Sequence, residues 1–452
     1  MLTFLYRLAW RAARPLAPVL ASSRGKLGRA LRGRLGAVAA LTAWADRARD
    51  PARPLVWFHA ASVGEGRQAE AVLLRLRAAR PGWQVVYTFS SPSAERWAAT
   101  LPVDVAGFVP FDTVADLGRA LDAVRPTALV FSATDLWPEL VRQAAARRVA
   151  LGVVSATLAP TSSRRGAAAG WLLRPTYAAL DRVGAIDEAD AAGLERLGVP
   201  RARITVTGDT RHDAARARLA ALAPDAPHLA ALARDGDRRP VVVAGSTWPA
   251  DERVLMPALR GAFEAGARFR LVIAPHEPTA AHLAALEAKL DYCMPAAMRR
   301  ARLSSLLAAG NGQPLATGNV ASGNLGGSGS WDVVVVDRVG ILADLYTAAS
   351  IAFVGGGFHA KGLHSVIEPA AAGVPVLFGP RWQGSRDARL LLEAGGARTA
   401  RERTGLSAAL AGWLQDEAAR AVAAAAARAV VERGRGAADR SVQLVIDLVE
   451  RR

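Results

Sequence analysis

The sequence predicts an α/β protein made of two doubly wound domains, and three observations carry this prediction. From residue 54 onward, short β-branched runs alternate with alanine-rich helical stretches, which is typical of βαβ units and a parallel sheet. The alternation occurs twice, on either side of a proline-containing segment near residues 224–227. A chain of 452 residues with 51% hydrophobic residues is long enough for two full cores.

The β-branched runs predict six strands in the first half and five in the second. The first six are Leu55–His59, Gln84–Thr88, Ala128–Ser132, Ala150–Ser155, Val183–Ile186 and Ile204–Thr207. The other five are Val241–Gly245, Phe269–Ala274, Val333–Val336, Ile351–Gly355 and Val374–Gly379. Two Rossmann-like halves that face a central cleft form the arrangement called GT-B. We therefore expect ligands in that cleft, at the carboxyl ends of the strands.

Three segments are predicted along the chain. Residues 1–45 form a basic apolar membrane-associating segment, residues 46–220 the N-terminal domain and residues 221–452 the C-terminal domain. Residues 308–331 are rich in glycine, asparagine and serine, so they are expected to form a flexible surface insertion in the second domain.

The composition excludes several classes of protein. The sequence has no run of about 18 uncharged apolar residues, which excludes a polytopic membrane protein. A single cysteine, Cys293, excludes an intrachain disulfide and favours a reducing compartment. The formal net charge of +17 suggests a nucleic-acid partner at first, but only three of the 57 basic residues are lysines. This arginine bias is typical of a general compositional drift, so the placement of the charge says more than its size.

The N-terminal segment carries the clearest charge asymmetry. Residues 1–45 contain eight basic residues and no acidic residue. In the first 20 residues, leucines, Tyr6 and Trp10 are interleaved with arginines, which break the apolar stretch too often for a secretory signal. The pattern fits an amphipathic helix on an anionic membrane surface. It fits equally an ordinary amphipathic helix that packs on the protein's own body.

The motifs of the first half place two carboxylates after neighbouring strands. In HAASVGEG, Glu65 begins a helix and either accepts a proton from an attacking hydroxyl or only complements the positive helix end. In SATDLWPEL, Asp135 either shares acid and base work with Glu65 or serves as a helix N-cap. GDTRHDAA adds Arg211 and Asp213, and Arg211 either faces an anionic substrate group or forms a surface pair.

The motifs of the second half favour an anion site. GSTWPADE presents Ser246 and Thr247 after a strand, and APHEP places His276 after the next one, although a lone histidine is more often structural. In VGGGFHAKGLHSVIEP, a glycine-rich turn precedes a helix, which predicts phosphate binding near Lys361 and His364 and a ribose contact from Glu368. The sequence contains no Walker A motif, no metal-ligand spacing and no nucleophile elbow, which argues against ATPase, redox and hydrolase functions.

In their order along the chain, these motifs resemble those of the bacterial 3-deoxy-D-manno-octulosonic acid (Kdo) transferases. The matching segments are HAASVGE, DLWP, VSATL, GDTRHD, AGSTW, IAPHE, DRVGILADLY and GLHSVIEPAAAGVPVLFGP. The resemblance implies an inverting GT-B glycosyltransferase that transfers Kdo from CMP-Kdo to a lipid A precursor, lipid IVA, in lipopolysaccharide synthesis. It also implies no metal and no cofactor, acceptor binding in the first domain, donor binding in the second, and no nucleic-acid partner. The location implied is the cytoplasmic side of the inner membrane, on its anionic surface.

The resemblance assigns roles to individual positions. Glu65 matches the catalytic base, while Asp135 and Arg211 match positions that help the transition state. The positions expected to bind CMP-Kdo, including those that the local motifs add, are Ser246, Thr247, Pro275, His276, Gly340, Ile341, Leu342, Lys361, His364, Ser365, Val366, Ile367 and Glu368.

The chain departs from the family pattern in three motifs. Ala133 replaces a glutamate of ETELWP, and Asp135 is the shorter acid. PHEPT stands for PRHPE and lacks an arginine expected near the phosphate. GLHSVIE keeps His364 and Glu368 of GGHNPLE but not its asparagine.

Two alternatives remain at this level. One is another GT-B activity, either a transferase for nucleoside-diphosphate sugars or an epimerase. The other is a non-catalytic, arginine-rich adaptor for nucleic acid or membranes, which predicts salt-dependent DNA binding and a dispensable Glu65.

Overall fold

The computed structural model describes residues 2–158, 167–223, 225–233, 236–310 and 331–450. The chain divides into two compact units. Unit 1 comprises Met1–Ala214 and Gly434–Arg452, and unit 2 comprises Ala215–Arg433.

Unit 1 is built on a seven-stranded parallel sheet. Its strands are β1 (Leu55–His59), β2 (Gln84–Phe89), β3 (Val105–Phe108), β4 (Ala128–Ser132), β5 (Ala150–Ala156), β6 (Arg182–Ala185) and β7 (Ile204–Val206). Their order in the sheet is β3-β2-β1-β4-β5-β6-β7. The central strands are buried along their whole length, which is why they read as near-continuous apolar runs in the sequence.

In the first stretch of unit 1, helices precede, connect and follow these strands. They are α1 (Leu2–Ala13), α2 (Ala17–Ala21), α3 (Lys26–Ala48), α4 (Val63–Ala79), α5 (Glu95–Ala98), α6 (Val114–Val124), α7 (Pro138–Ala146), α8 (Ala167–Ala178), α9 (Glu188–Arg196) and α10 (Thr210–Ala220). Helix α10 runs across the boundary between the units.

Unit 2 repeats the parallel scheme. Its strands are β8 (Val241–Thr247), β9 (Arg270–Pro275), β10 (Arg300–Arg302), β11 (Val333–Val335), β12 (Ile351–Val354), β13 (Val376–Phe378) and β14 (Ala397–Thr399), in the order β10-β11-β9-β8-β12-β13-β14. Its helices are α11 (Pro227–Ala230), α12 (Pro249–Glu264), α13 (Ala280–Cys293), α14 (Leu303–Gly310), α15 (Leu342–Leu345), α16 (Ile367–Ala371), α17 (Arg386–Glu393), α18 (Arg403–Gln415) and α19 (Glu417–Arg433).

Three strands were not predicted from the sequence, namely β3, β10 and β14. All three lie at a sheet edge. Their sequences, VAGF, RAR and ART, contain few β-branched apolar residues because an edge strand of three or four residues buries little surface. The eleven predicted strands all occur, with ends that differ by a few residues.

The last helix, α20 (Ala437–Glu450), corrects the predicted domain division. It packs on α4, β5 and β6 of unit 1, and its Val445 and Leu448 share a core cluster with Val56 and Val154. The carboxylate of Asp213 accepts hydrogen bonds from the backbone N–H groups of residues 436 and 438, at 2.9 and 2.7 Å, and so caps this helix. Residues 434–452 therefore belong to unit 1, and the division falls at 214/215 instead of 220/221.

The N-terminal helices pack on the body of unit 1. Helix α3 contacts α6 and β3. From α1, Arg7 donates two hydrogen bonds of 2.9 Å to the buried Glu139, and Tyr6 donates one of 2.5 Å to Asp112. This agrees with the predicted alternative of a helix that packs on its own protein. Among the described residues, no helix is both long and apolar enough to cross a membrane.

The predicted insertion at residues 308–331 lies almost wholly outside the described residues. Helix α14 ends at Gly310, and the description resumes at Trp331, which is buried.

The cap on α20 provides a test of the revised division. We predict that Asp213→Ala weakens the attachment of α20 by about 1–3 kcal/mol, because one buried and one partly buried backbone N–H group lose their acceptor. Hydrogen exchange of the amides in 437–450 should accelerate accordingly. The control is Glu450→Ala, which removes only a half-exposed ion pair with Arg80 from the same helix. Equal exchange in the two variants would contradict this role of Asp213.

Candidate active site

Part of each group of predicted site residues lies where the strand order of a sheet reverses, namely Glu65 and Asp135 in unit 1 and Ser246, Thr247 and residues 361–368 in unit 2. In unit 1 the reversal falls between β1 and β4, which pair in parallel. In unit 2 it falls between β8 and β12, which also pair in parallel. Connections leave the two central strands in opposite directions at such a point, so a crevice opens beyond their carboxyl ends.

Glu65 caps the start of α4, and its surroundings also alter its proton affinity. It is the third residue of α4, and its carboxylate accepts hydrogen bonds from the backbone N–H and the hydroxyl of Ser62, at 3.1 and 3.3 Å. This is a capping box. Burial nevertheless raises the pKa of Glu65, and the charge of Asp135 raises it further, against the opposing effect of the Ser62 hydrogen bonds. The carboxylate is thus fixed in place and has an increased proton affinity.

Asp135 lies beyond the end of β4, close enough for its charge to act on Glu65. It is not the N-cap of α7, because that position is Trp137. The chain reaches Asp135 through Ala133, whose φ of 61° is unusual for a residue other than glycine. The hydroxyl of Ser132 donates to the backbone carbonyl of Glu65 at 2.8 Å and so links the end of β4 to α4.

Arg211 forms an ion pair, but its partner is a buried acid. Its guanidinium donates to both carboxylate oxygens of Asp209, at distances of 2.5–3.1 Å. Burial alone would raise the pKa of Asp209, but Arg211 more than offsets this effect and lowers it. Asp209 also accepts a hydrogen bond of 3.4 Å from Gln68, one turn after Glu65 on α4. The pair is therefore attached to the helix that carries Glu65.

The N-terminal segment contacts the loop that carries Asp135. The guanidinium carbon of Arg34 lies 5.5 Å from the ring centroid of Trp10, 4.9 Å from that of Phe111 and 4.5 Å from that of Trp137. Burial lowers the pKa of Arg34 to about 10. Trp137 is only two residues from Asp135, so α1 and α3 help to fix this part of the site through cation–π contacts.

In unit 2, four aromatic rings pack together between the ends of β8, β9 and β12; we call them the ring stack. The Trp248 ring lies 4.4 Å from His359 and 4.6 Å from His276, between centroids. His276 lies 4.4 Å from His364, whose Nε2 accepts a hydrogen bond of 2.9 Å from the indole N–H of Trp248. The ammonium group of Lys361 lies 4.6 Å from the Trp248 centroid. The sequence motifs indicate a role for neither Trp248 nor His359.

Asp251 holds the ring stack together, although no sequence motif assigns it a role. Its buried carboxylate accepts hydrogen bonds from the backbone N–H groups of Trp248, Gly356 and Phe358, at 2.8–3.0 Å. Its position three residues after Trp248, at the start of a helix, is the spacing of a capping box and was the available signal.

This contact limits what the backbone of the glycine-rich turn can offer to an anion. The N–H groups of Gly356 and Phe358 already donate to Asp251. The glycines serve close packing instead, because a Cβ on Gly355 would clash with the carbonyl of Ser246 and one on Gly357 with the backbone of Gly379.

The remaining residues that were predicted to bind the sugar nucleotide differ in whether their side chains or only their backbone groups can reach a ligand. Ser246 has a φ of 53°, and the hydroxyl of the buried Thr247 donates to Glu252 at 3.2 Å. Gly340 accepts a hydrogen bond of 2.8 Å from Arg218 through its carbonyl. Buried or core-packed positions, which leave mainly backbone groups for a ligand, are Pro275, Ile341, Leu342, Val366 and Ile367. Side chains that are at least partly exposed are those of His276, Lys361, His364, Ser365 and Glu368.

Comparison with known proteins identifies the family. The model of the family described as 3-deoxy-D-manno-octulosonic-acid transferase (kdotransferase) matches residues 29–214. The 3-deoxy-D-manno-octulosonic acid transferase of Bordetella pertussis is 30% identical over 418 residues, which cover 89% of each chain. The chain belongs to this transferase family. The enzyme of the same name from Chlamydophila psittaci is 28% identical over 359 residues, covering 76% of this chain and 73% of that one. The resemblance drawn from motif order is confirmed, and the protein is a glycosyltransferase.

Solved structures confirm the fold class. A putative UDP-N-acetylglucosamine 2-epimerase from Listeria monocytogenes superimposes with a TM-score of 0.59 at 16% identity, covering 88% of this chain and 98% of that one. MurG from Acinetobacter baumannii gives 0.51 at 14% identity, covering 88% and 100%. At such identities the likeness concerns the fold alone, which is of the GT-B type as predicted.

The interaction between the two carboxylates can be measured directly. We predict that Asp135→Asn shifts the ionisation of Glu65 to lower pH, because a negative charge that opposes ionisation is removed. Carboxyl ¹³C chemical shifts of labelled glutamate, followed from pH 3 to 8, report this ionisation. Glu70→Gln, on the same helix, should leave the midpoint for Glu65 unchanged. An unchanged midpoint in Asp135→Asn would show that the two groups do not interact.

Proposed function

We propose that this chain is an inverting glycosyltransferase that transfers Kdo from CMP-Kdo to a lipid A precursor, lipid IVA, in lipopolysaccharide core biosynthesis. Family membership supports Kdo as the transferred sugar. The observation that carries the proposed mechanism is the placement of Glu65. This fixed, half-buried carboxylate has a raised pKa and lies beside Asp135 at the strand reversal of unit 1.

In the proposed reaction, Glu65 acts as the general base. A sugar hydroxyl of the acceptor gives its proton to the Glu65 carboxylate while its oxygen bonds to the anomeric carbon of Kdo. The bond from that carbon to the phosphate oxygen breaks on the opposite face, and its electron pair leaves with CMP. Attack and departure on opposite faces invert the anomeric configuration. The raised pKa suits this task, because a carboxylate that holds a proton more strongly is a better base near neutral pH.

Asp135 and Arg211 assist Glu65 in this proposal. Asp135 keeps the proton affinity of Glu65 high, as the cause of the raised pKa indicates. The Arg211–Asp209 pair is attached to α4, and Arg211 is the proposed cation that supports the transition state.

Unit 2 is the proposed donor site. The leaving CMP is a phosphate monoester, so one or two positive groups suffice to stabilise it. Lys361 and His276 supply them beside the exposed part of the ring stack. Glu368, at the start of α16, is the proposed acceptor of hydrogen bonds from the ribose hydroxyls.

The N-terminal segment is proposed to lie on the anionic surface of the inner membrane, on its cytoplasmic side. While Arg7 and Arg14 pair inward with acids of unit 1, large apolar side chains of the same segment point to solvent. They are those of Leu5, Leu8, Leu16, Val19, Leu20 and Leu27, which are 48–72% exposed. The neighbouring cations, which are exposed and form no ion pair with any described residue, are Arg11, Arg24, Lys26 and Arg29. Exposed leucines next to unpaired cations match an anionic lipid surface.

The proposed base can be tested by a single substitution. We predict that Glu65→Gln lowers kcat by about 10²- to 10⁴-fold in assays with CMP-Kdo and lipid IVA, because the group that accepts the proton is lost. A glutamine can still fill the capping box, so folding and CMP affinity should be retained. Glu95→Gln, which removes an exposed acid of unit 1, is the control. Turnover of Glu65→Gln close to that of the control would refute the assignment.

The membrane surface can be tested with vesicles. We predict that the triple variant Leu8→Ser, Leu16→Ser, Val19→Ser lowers partitioning onto phosphatidylglycerol-containing vesicles at least tenfold, because each side chain contributes about 1 kcal/mol when buried in lipid. Flotation of the full chain measures this partitioning. The control is Val422→Ser in unit 2, which removes an equally exposed apolar side chain. Unchanged flotation of the triple variant would exclude this surface.

A further inference from the structure

The ring stack contains three imidazoles, and hydrogen bonds determine where two of them can carry a proton. The indole N–H of Trp248 donates to Nε2 of His364, so this nitrogen bears no proton. The backbone N–H of Lys361 donates to Nδ1 of His359 at 3.2 Å, so that nitrogen bears none either. A second proton on either ring would break a hydrogen bond that the structure contains.

His276 differs from the other two imidazoles. Its ring forms no hydrogen bond with any described residue, and its side chain is exposed on one side while stacking on Trp248 and His364 on the other. It follows β9 directly, and its backbone N–H donates to the carbonyl of Thr247 at 2.9 Å, which holds it next to the end of β8. It can therefore gain a proton without losing any existing contact.

Burial and the balance of charged groups around His276 favour its neutral ring. Burial lowers the pKa of His276, and the nearby Lys361 and His359 lower it further, while Glu277 on its own loop acts in the opposite direction. His364, packed on its face, has a pKa lowered to about 4 by burial and by the surrounding His276, His359 and Lys361, so it adds no charge near neutral pH. An anion that arrives beside His276 would reverse this balance, since it favours the charged imidazolium.

We propose that His276 takes up a proton when unit 2 binds the phosphate of its nucleotide ligand, so that an imidazolium formed on binding replaces the permanently charged arginine of the PRHPE pattern. This rests on the proposed function, because the phosphate is taken to be that of the CMP moiety. One imidazole and one proton are involved, with no bond made or broken elsewhere. The ring stack contributes by holding the imidazole at a fixed place.

Proton uptake gives the binding equilibrium a definite pH dependence. Between the pKa values of His276 in the free and the bound protein, the dissociation constant should rise as pH rises, by at most tenfold per pH unit for one proton. An arginine at this position stays charged throughout this pH range. The dissociation constant of the His276→Arg variant should therefore not change with pH.

The experiment uses the full chain and the methyl ester of CMP. This probe is a phosphate diester like the proposed donor, so its own charge does not change near neutral pH. Calorimetric titration at pH 7.5 in two buffers with different ionisation enthalpies measures the protons taken up per ligand. We expect at least about half a proton for the wild type and none for His276→Arg, which should bind at least as tightly. His276→Gln should bind more weakly at pH 6.5 and show no uptake. Imidazole ¹⁵N shifts of His276 provide a direct second readout.

The possible failures are distinguishable. Equal proton uptake by the wild type and His276→Arg, or ¹⁵N shifts of His276 that stay those of a neutral ring, would overturn the proton linkage but leave the proposed function standing. If no variant binds the CMP ester at any pH while its spectra show a folded protein, CMP is not the nucleotide and the proposed function fails. In that case the linkage, which assumes this phosphate, is overturned as well.

Discussion

The hydrogen-bonded pairing of the two central strands in each sheet is the constraint on which both groups of site residues depend. In unit 1, β1 and β4 pair in parallel with His59 opposite Phe131; in unit 2, β8 and β12 pair with Gly245 opposite Val354. Parallel strands end at the same edge, so the segments that follow them emerge side by side. A slip of one residue would turn every side chain of a strand to the other face and displace these segments. The positions of the site residues therefore depend on the pairing register of the strands. The burial of the apolar strands fixes that register.

In both units, a carboxylate near the start of a helix joins the segments that follow the strands. In unit 1, Glu65 caps α4 and is close enough to Asp135 for the two charges to interact. In unit 2, Asp251 is the third residue of α12 and accepts a hydrogen bond from the turn after β12. The two acids differ in whether their carboxylates are accessible to a reacting group. The carboxylate of Asp251 is fully buried and occupied by backbone N–H groups, whereas that of Glu65 is only half-buried and has a raised pKa. The same capping motif thus stabilises a turn in unit 2 and holds the proposed base in unit 1.

The sequence predicted the central strands and the order of the motifs because both depend on local patterns. Edge strands such as β10, with the sequence RAR, lack such a pattern, since an edge buries too little surface to demand apolar residues. The ring stack was missed for another reason. Trp248, His276 and His359 are far apart in the chain, and only the parallel pairing brings them together. In the glycine-rich turn, N–H groups are occupied by Asp251, an acid that is distant in the sequence. No sequence motif links Asp251 to this turn.

The place of α20 in unit 1 has a consequence for how the protein is made. The sheet of unit 1 begins at residue 55, but part of the core beneath it, including Val445 and Leu448, belongs to the last helix of the chain. During synthesis, all of unit 2 leaves the ribosome before this helix does. Unit 2 can therefore complete its fold while unit 1 still exposes the apolar surface that α20 will cover. The domain encoded first is finished last, and until then that open surface is a site for chaperones or for misfolding.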